Sequence, residues 1–467
     1  MADLTCDVAV IGAGTAGLAA ERSARATGAR TLLIDDRFAG TTCATVGCMP
    51  SKLLIAAGKS AAAVRLAPVF GIDAPAPRVD GVAVMARVRA ERDKFVAATR
   101  KSFDKLPEGT TIQATARIQD AATLRLDDGR TVSARAVVIA TGSKPTIPQA
   151  YQSLGDLVLT SDTIFDLVDL PRSVAVIGTG PLGVELAHGL AQLGVEVEVF
   201  GQNGSLAGVK DEAVMADLCR ILRKVIAVRL DVTVEAQRHA GGALLRWSGA
   251  ESGEKVFERV LVATGRRPSL DRLDLAAAGL ALDDKGVPLF DRHTMQCGDA
   301  TVFIAGDADA DAPILHEAST EGAIAGTNAA SFPEVKPTER ALPFSITFTD
   351  PPVAAVGDPA GDDSVIGCAS YEDQGRAKVE ARAEGCVRIY AAPGDGRLTG
   401  AAMIGPGMEH IAHLLTLAIT QRMTATELLR LPFYHPTLEE GLKPALRQIC
   451  HSVHAPIPVD SGDPAGA

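Results

Sequence analysis

The sequence predicts an α/β fold in which one strand-turn-helix unit occurs twice and is followed by an α+β region. Three observations carry this prediction. An apolar strand runs into Gly-x-Gly-x-x-Gly at Val8-Ala-Val-Ile-Gly12-Ala-Gly14-Thr-Ala-Gly17, and again at Val174-Ala-Val-Ile-Gly178-Thr-Gly180-Pro-Leu-Gly183. Each copy is closed by a strand ending in Ala-Thr-Gly, at Val137-Val-Ile-Ala-Thr141-Gly142 and at Val260-Leu-Val-Ala-Thr264-Gly265. Beyond roughly residue 340 no further motif of this kind occurs, and short alternating strands take over.

A single glycine triplet is a weak signal, because glycine-rich turns are common. Two triplets, each following a strand and opening a helix, form a strong one. In such a Rossmann-like unit the first glycine makes the tight turn and the second lets the backbone approach a pyrophosphate. The third allows close helix-to-strand packing, and the helix N-terminus offers donors and positive dipole to the phosphates. The strand Thr31-Leu-Leu-Ile34 ends at Asp35, about 20 residues beyond the glycines, where a carboxylate can accept bonds from an adenosine ribose. In the second copy Val197-Glu-Val-Phe200 ends at Gly201-Gln202-Asn203. That turn has neither the carboxylate typical of NAD nor a clear arginine for a 2′-phosphate.

Proline and glycine mark the linkers. Lys144-Pro145 to Pro148 leaves the first unit, Gly265-Arg-Arg-Pro268 leaves the second, and Phe332-Pro333 to Pro337 precedes the last region. Phe303-Ile-Ala-Gly306-Asp307 has the strand-then-Gly-Asp form of a cofactor-contacting turn, so the first domain is expected to resume after the second interrupts it. The expected division is 1–148 with 270–335, then 149–269, then 340–467. Within the last part Pro343–Phe348 and Gly385–Tyr390 read as strands and His410–Arg422 as an amphipathic helix.

At 467 residues and 48.4 kDa the chain exceeds what one core usually supports, so two to four domains are expected. Its 47% hydrophobic content supplies them, and a net charge of −11 spread along the chain argues against nucleic acid as the main partner. No apolar run approaches the roughly 20 residues of a membrane span, and Met1 to Asp7 leads into the strand at Val8 without a signal peptide. A cytoplasmic protein with no membrane partner is expected.

Eight cysteines in a chain this long do not make a secreted disulfide scaffold. Cys6, Cys219, Cys297, Cys368, Cys386 and Cys450 read as buried or incidental thiols, and none has metal-ligand spacing. Cys43 and Cys48, within Cys43-Ala-Thr-Val-Gly-Cys-Met-Pro-Ser-Lys52, differ. An ideal helix would set their Cα atoms roughly 7.5 Å apart along its axis, beyond the roughly 6.8 Å upper end of disulfide geometry. The turn must therefore depart from a helix, Gly47 permits the departure, and Pro50 is tolerable only in the first turn of the helix that follows. A short-loop disulfide of this kind tends to be labile or catalytic. Two dinucleotide sites and a redox-labile cysteine pair imply electron flow between a nicotinamide and a disulfide. Direct transfer between them is awkward, so a flavin is the natural intermediary. FAD is assigned to the first fingerprint and NAD(P)(H), with NAD favoured, to the second.

With these residues in view, the chain resembles the class I flavoprotein disulfide reductases over essentially its whole length, most closely the dihydrolipoamide dehydrogenase branch. The resemblance rests on Gly12 to Gly17, Cys43 to Lys52, Gly178-Thr-Gly-Pro-Leu-Gly-Val-Glu185, Ala305-Gly-Asp307 and His435-Pro-Thr-Leu-Glu-Glu440. It implies that Cys48 forms the charge-transfer thiolate beside the flavin while Cys43 exchanges with substrate. Lys52 would stand by the reactive flavin nitrogen, paired with Glu185, and Asp307 and His316 would hold the flavin's ribityl chain and ring edge. Further cofactor contacts are implied at Ala116, Thr141, Gly142, Gly201 and Gly265. His435 would be the base that makes the substrate thiolate, with Glu440 orienting it. The last domain would be a dimerisation domain, through which His435 serves the partner subunit's disulfide in an obligate homodimer.

Some positions depart from the family pattern. Thr41-Thr42 and Thr45 replace the more usual Gly-Thr and Asn around the first cysteine, and Phe433-Tyr434 replaces the His-Ala that commonly precedes the base. The chain ends Ser461-Gly-Asp-Pro-Ala-Gly-Ala467, without the terminal cysteine pair of mercuric reductases or high-molecular-weight thioredoxin reductases. Gly201 to Val209 lacks the arginine-rich site of glutathione reductases. The expected activity is dihydrolipoamide oxidation by NAD⁺. The alternatives are NAD(P)H-dependent reduction of another small disulfide, or redox sensing. Nothing near the N-terminus resembles a lipoyl domain, so a lipoyl group would come from a lipoyl-bearing partner protein or a free substrate.

Overall fold

The computed structural model describes residues 3–458; the C-terminal Ser461–Ala467 lies outside them. The chain divides into two compact units. One comprises the residues through Pro50, Arg87–Thr146 and Gly265–Arg340, and the other comprises Ser51–Ala86, Ile147–Thr264 and the residues from Ala341 onward.

In the first unit Leu4–Ile11 is the centre of a parallel sheet, between Thr31–Asp35 and Thr131–Ile139. Its residues Val8, Ala9 and Val10 are wholly buried, as a near-continuous apolar run covered on both faces must be. The strand starts at Leu4, earlier than the apolar pattern indicated, because ladder pairing extends through the polar Thr5 and the buried Cys6. Val302–Ile304 adds to Thr131–Ile139 in parallel, and Thr123–Leu126 and Ala116–Asp120 extend the sheet antiparallel. Helices Thr15–Ala26 and Leu315–Ser331 press together through glycine. A β-carbon at Gly322 would lie 2.2 Å from the Ala16 carbonyl oxygen, and one at Gly326 would lie 2.1 Å from that of Ala20.

In the second unit a fully parallel sheet runs Ala227–Arg229, Glu196–Phe200, Ser173–Ile177, Arg259–Val262, Val158–Leu159. An antiparallel meander, Val232–His239, Gly242–Gly249 and Gly253–Phe257, belongs to the same unit, and Phe200 packs against both Trp247 and Phe257. The C-terminal region is a five-stranded antiparallel sheet in the order Phe344–Thr347, Val353–Gly357, Leu398–Ile404, Cys386–Ala391, Val365–Ser370. Helix Met408–Thr420 packs on this sheet two residues N-terminal to the expected bounds. Gly407, at φ +73°, supplies the left-handed turn that starts it.

One expectation needs correcting. The helical run Thr42–Phe70 is long and apolar enough to cross a membrane by length and composition, with an 18-residue window of mean hydropathy 1.5. Within the second unit part of its apolar surface serves helix packing. Leu54 and Ile55 are buried, and a β-carbon at Gly58 would lie 2.9 Å from the carbonyl oxygen of Gly189 on helix Pro181–Gln192.

Candidate active site

The two glycine triplets are built alike. A β-carbon at Gly12 would lie 2.3 Å from the Ala140 carbonyl oxygen, and one at Gly178 would lie 2.5 Å from that of Ala263. Gly17 and Gly183 would meet the carbonyl oxygens of Gly12 and Gly178 at 1.8 and 2.6 Å. The second glycines differ: around Gly14 and Gly180 nothing lies within 4 Å. Each is also the N-cap of a helix, Thr15–Ala26 or Pro181–Gln192, and neither helix has a side-chain cap. First and third glycines are thus fixed by backbone packing, while the second faces open space at uncapped N-H groups, which suits a pyrophosphate. In the first unit Thr141 Oγ1 is buried without a hydrogen-bond partner among the described residues, a position a flavin dinucleotide's polar atoms can satisfy.

Other implied cofactor contacts have internal partners. Asp35 Oδ2 accepts from Ala13 N at 2.8 Å, and Oδ1 accepts from the amides of Arg37 and Phe38 at 2.9 and 2.7 Å. The carboxylate therefore braces the glycine turn itself. Asp307 Oδ2 accepts from Ser143 Oγ at 2.6 Å, and Arg266 donates to Ser143 Oγ and to its carbonyl oxygen at 2.8 Å each. Ser143 and Arg266 directly follow the two Ala-Thr-Gly signatures, and their segments Ser143–Pro145 and Arg266–Pro268 form a two-stranded ribbon. Neither was singled out from the sequence, although their place after the repeated signature was the available signal. Gly142 and Gly265 take φ +66° and +125° with open surroundings. Gly201 is held by packing instead: a β-carbon there would lie 2.7 Å from Thr179 Cγ2. Ala116 is buried in the first unit's sheet. His316 is exposed near the start of its helix, 3.9 Å from Glu317. Below the Asp307 turn, Glu321 accepts from Gly306 N and is bridged to Glu317 by Arg340. Burial and the adjacent Glu321 push the Asp309 carboxyl up to about 8.

The cysteine motif resolves into two helices. Cys43 lies in the single turn Thr42–Thr45, which Thr41 caps by accepting from Ala44 N, and Cys48 opens helix Cys48–Leu66. The break falls at Val46-Gly47. A β-carbon at Gly47 would lie 2.9 Å from the Thr42 carbonyl oxygen, so a side chain there would force the turn open. Pro50 falls in the first helical turn, where its missing N-H costs nothing. Cys43 is half-buried and Cys48 exposed. By contrast, burial pushes the thiols of Cys6, Cys297 and Cys386 up to about 12, which makes them poor nucleophiles near neutral pH.

In the second unit Lys52 Nζ lies 2.8 Å from Glu185 Oε2 and 4.4 Å from the centre of the Phe348 ring. Glu185 Oε1 accepts from Phe348 N at 2.8 Å. His435 Nδ1 lies 3.1 Å from both carboxylate oxygens of Glu440, and Thr437 N donates to Glu440 Oε1 at 3.2 Å. The implied residues thus form two local pairs. Cys43 and Cys48 belong to the first unit, and His435 and Glu440 to the second. Among the described residues no cluster of His, Cys, Asp or Glu could hold a metal ion.

Two nucleotide folds in one chain place it in the class of dinucleotide-dependent oxidoreductases. Residues 6–323 match the family model described as pyridine nucleotide-disulphide oxidoreductase, and residues 344–446 match the dimerisation domain of that family; the chain belongs to it. It is 30% identical to a dihydrolipoyl dehydrogenase of Bacillus subtilis, over 96% of this chain and 100% of the relative. It is 30% identical to a mercuric reductase of Acidithiobacillus ferrooxidans, over 96% and 83%, and 29% identical to a mycothione reductase of Mycobacterium tuberculosis, over 95% and 99%. Its fold is shared with LpdA of M. tuberculosis at a TM-score of 0.82 and 24% identity, covering 95% of this chain and 99% of that one. The HOCl-induced flavoprotein disulfide reductase RclA of Escherichia coli gives 0.81 at 20% identity, over 94% and 99%. The protein is a FAD-type pyridine nucleotide-disulfide oxidoreductase.

Proposed function

We propose that the protein oxidises dihydrolipoamide with NAD⁺ through a redox-active Cys43–Cys48 disulfide, as a homodimer. The observation that carries this reading is the His435–Glu440 pair, held at 3.1 Å on a half-exposed imidazole. A protein that merely reports its redox state needs no base, whereas dithiol exchange does, because a thiol with pKa near 8.5 supplies little thiolate at pH 7. Glu440 engages Nδ1, which leaves Nε2 as the nitrogen to take the proton from a substrate thiol.

The resulting substrate thiolate attacks Cys43 Sγ, forming a mixed disulfide and releasing Cys48 as thiolate. The second substrate thiol then attacks its own mixed-disulfide sulfur, which closes the lipoamide ring and leaves Cys43 and Cys48 reduced. In this reading Lys52, four residues beyond Cys48 on the same helix, is the cation assigned to the reduced pair. FAD, when bound, supplies the two-electron relay from the reduced pair to the nicotinamide. Gly14 and Thr141 would hold FAD in the first unit, and Gly180 would hold the nicotinamide dinucleotide in the second.

A second reading, reduction of another low-molecular-weight disulfide with NADH or NADPH, is favoured by the residues that flank Cys43 and His435 in the sequence. Thr41, Thr42 and Thr45 surround Cys43, and Tyr434, next to the base, is 82% exposed. Steady-state assays of the FAD-loaded protein with lipoamide, oxidised glutathione and other disulfides, against NADH and NADPH, separate the two. Highest turnover with lipoamide and NAD(H) is expected. Turnover confined to another disulfide selects the second reading, and no turnover with any pair despite bound FAD leaves redox sensing.

A further inference from the structure

Helix Pro181–Gln192 carries Glu185, His188 and Gln192 at spacings of three and four, so all three share one face. All three meet the same short segment. Glu185 Oε1 accepts from Phe348 N at 2.8 Å, His188 Nδ1 accepts from Asp350 N at 3.2 Å, and Gln192 Nε2 donates to Asp350 Oδ2 at 3.4 Å. Residues 348–350 follow directly on strand Phe344–Thr347, where Thr349 N turns back to the Thr347 carbonyl oxygen at 2.9 Å, and the amides of both 348 and 350 are held by the helix. His188 is 4% exposed. Burial pushes its imidazole down to about 4, Lys59 acts in the same direction and Asp350 opposes. The ring is therefore neutral near pH 7, and its bond to an amide assigns the proton to Nε2. On the other side Arg382 binds both oxygens of Asp350, at 2.9 and 3.0 Å.

What this segment carries is the Phe348 ring over Lys52. The ammonium is thus fixed from two directions, by a carboxylate and by a ring face, and both contacts depend on where residues 348–350 lie. We infer that His188 is a positioning residue for Lys52, holding the Phe348–Asp350 segment so that the Phe348 ring and Glu185 together fix the Lys52 ammonium. The inference rests on the reading above that sets Lys52 beside the flavin and the Cys48 thiolate. His188 itself touches neither substrate nor cofactor.

The test is the pH dependence of the long-wavelength absorbance that the Cys48 thiolate gives with oxidised FAD in the two-electron-reduced holoenzyme. A fixed cation favours the thiolate, so loosening Lys52 raises the midpoint pH at which the band appears. His188→Leu and Phe348→Leu are each expected to raise it by roughly half a pH unit, with FAD content unchanged. His188→Asn, which keeps an acceptor for Asp350 N, and Phe348→Tyr, which keeps the ring, are expected to restore it. The double variant is expected to shift no further than either single one. Lys52→Gln separates the two levels of the argument. If it shifts the midpoint while His188→Leu and Phe348→Leu do not, the inference is overturned and the reading of Lys52 survives. If Lys52→Gln leaves the midpoint unmoved, both fall. Where His188→Leu does not retain FAD, His188→Ala against His188→Asn makes the same comparison.

Discussion

Glu185 and Glu440 each hold one basic side chain, and they do so in opposite ways. The Glu185 side chain is 4% exposed and that of Lys52 is 34% exposed, and every oxygen of Glu185 is engaged. Glu440 is also largely covered, but its partner His435 is 50% exposed and is held by it only through Nδ1. The first pair is finished by the chain's own packing. The second is complete only at the imidazole's Nδ1, as the proposed role of His435 on a molecule arriving from outside requires. The two carboxylates thus differ in what they leave open: Glu185 fixes Lys52 inside the packing, and Glu440 holds an imidazole that solvent still reaches.

Breaking each pair should expose that division. The largest expected effect is on turnover at the second pair: His435→Gln should lower dithiol-disulfide turnover about 10²- to 10⁴-fold. It should leave the thermal midpoint nearly unchanged, because exposed substitutions usually cost less than about 0.5 kcal/mol. Steady-state kinetics beside a melting curve checks both halves, and a large loss of stability would blur the contrast. At the first pair, Glu185→Ala strips Lys52 of its partner and leaves the Phe348 amide without its acceptor. With Lys52 one-third exposed and partly screened, the expected cost is about 2 kcal/mol in denaturant unfolding of the holoprotein. Glu185→Gln, which keeps an acceptor oxygen for that amide, should cost less.

A smaller effect sharpens the comparison through pH. His188 neighbours Glu185 on the same buried face, and its folded-state pKa of about 4 lies below the ordinary 6.5. A group with a depressed folded pKa binds fewer protons folded than unfolded. Its contribution is present above pH 6.5 and is lost as pH falls toward 4, at most roughly 3 kcal/mol over that window. His188→Asn should flatten this part of the stability profile.

Much of this organisation is legible in the sequence because it is local or repeated. The two glycine triplets, their closing strands and the cysteine motif are contiguous, and the roles of Gly12 and Gly17 recur at Gly178 and Gly183. Lys52 and Glu185, which lie 133 positions apart, could be joined only through the family resemblance. The contacts that went unread are equally distant and have no motif to announce them. Ser143 meets Arg266 across 123 positions, and His188 meets Asp350 across 162. The meander Val232–Phe257 has no motif either: Val232, Val234, Leu245 and Trp247 alternate with exposed charged residues such as Glu235 and Arg246, the latter paired with Glu254. Likewise the sequence shows only that a helix follows at Pro50, and what it packs against appears at Gly58 and Gly189.

The most direct test of the central claim concerns the cysteine pair, since the Lys52–Glu185 and His435–Glu440 pairs both take their proposed chemical meaning from it. Cys43→Ser and Cys48→Ser variants should be prepared with FAD content measured from the flavin absorbance, and each assayed for lipoamide turnover. The account predicts full FAD occupancy and abolished turnover in both; normal turnover in either variant would contradict it.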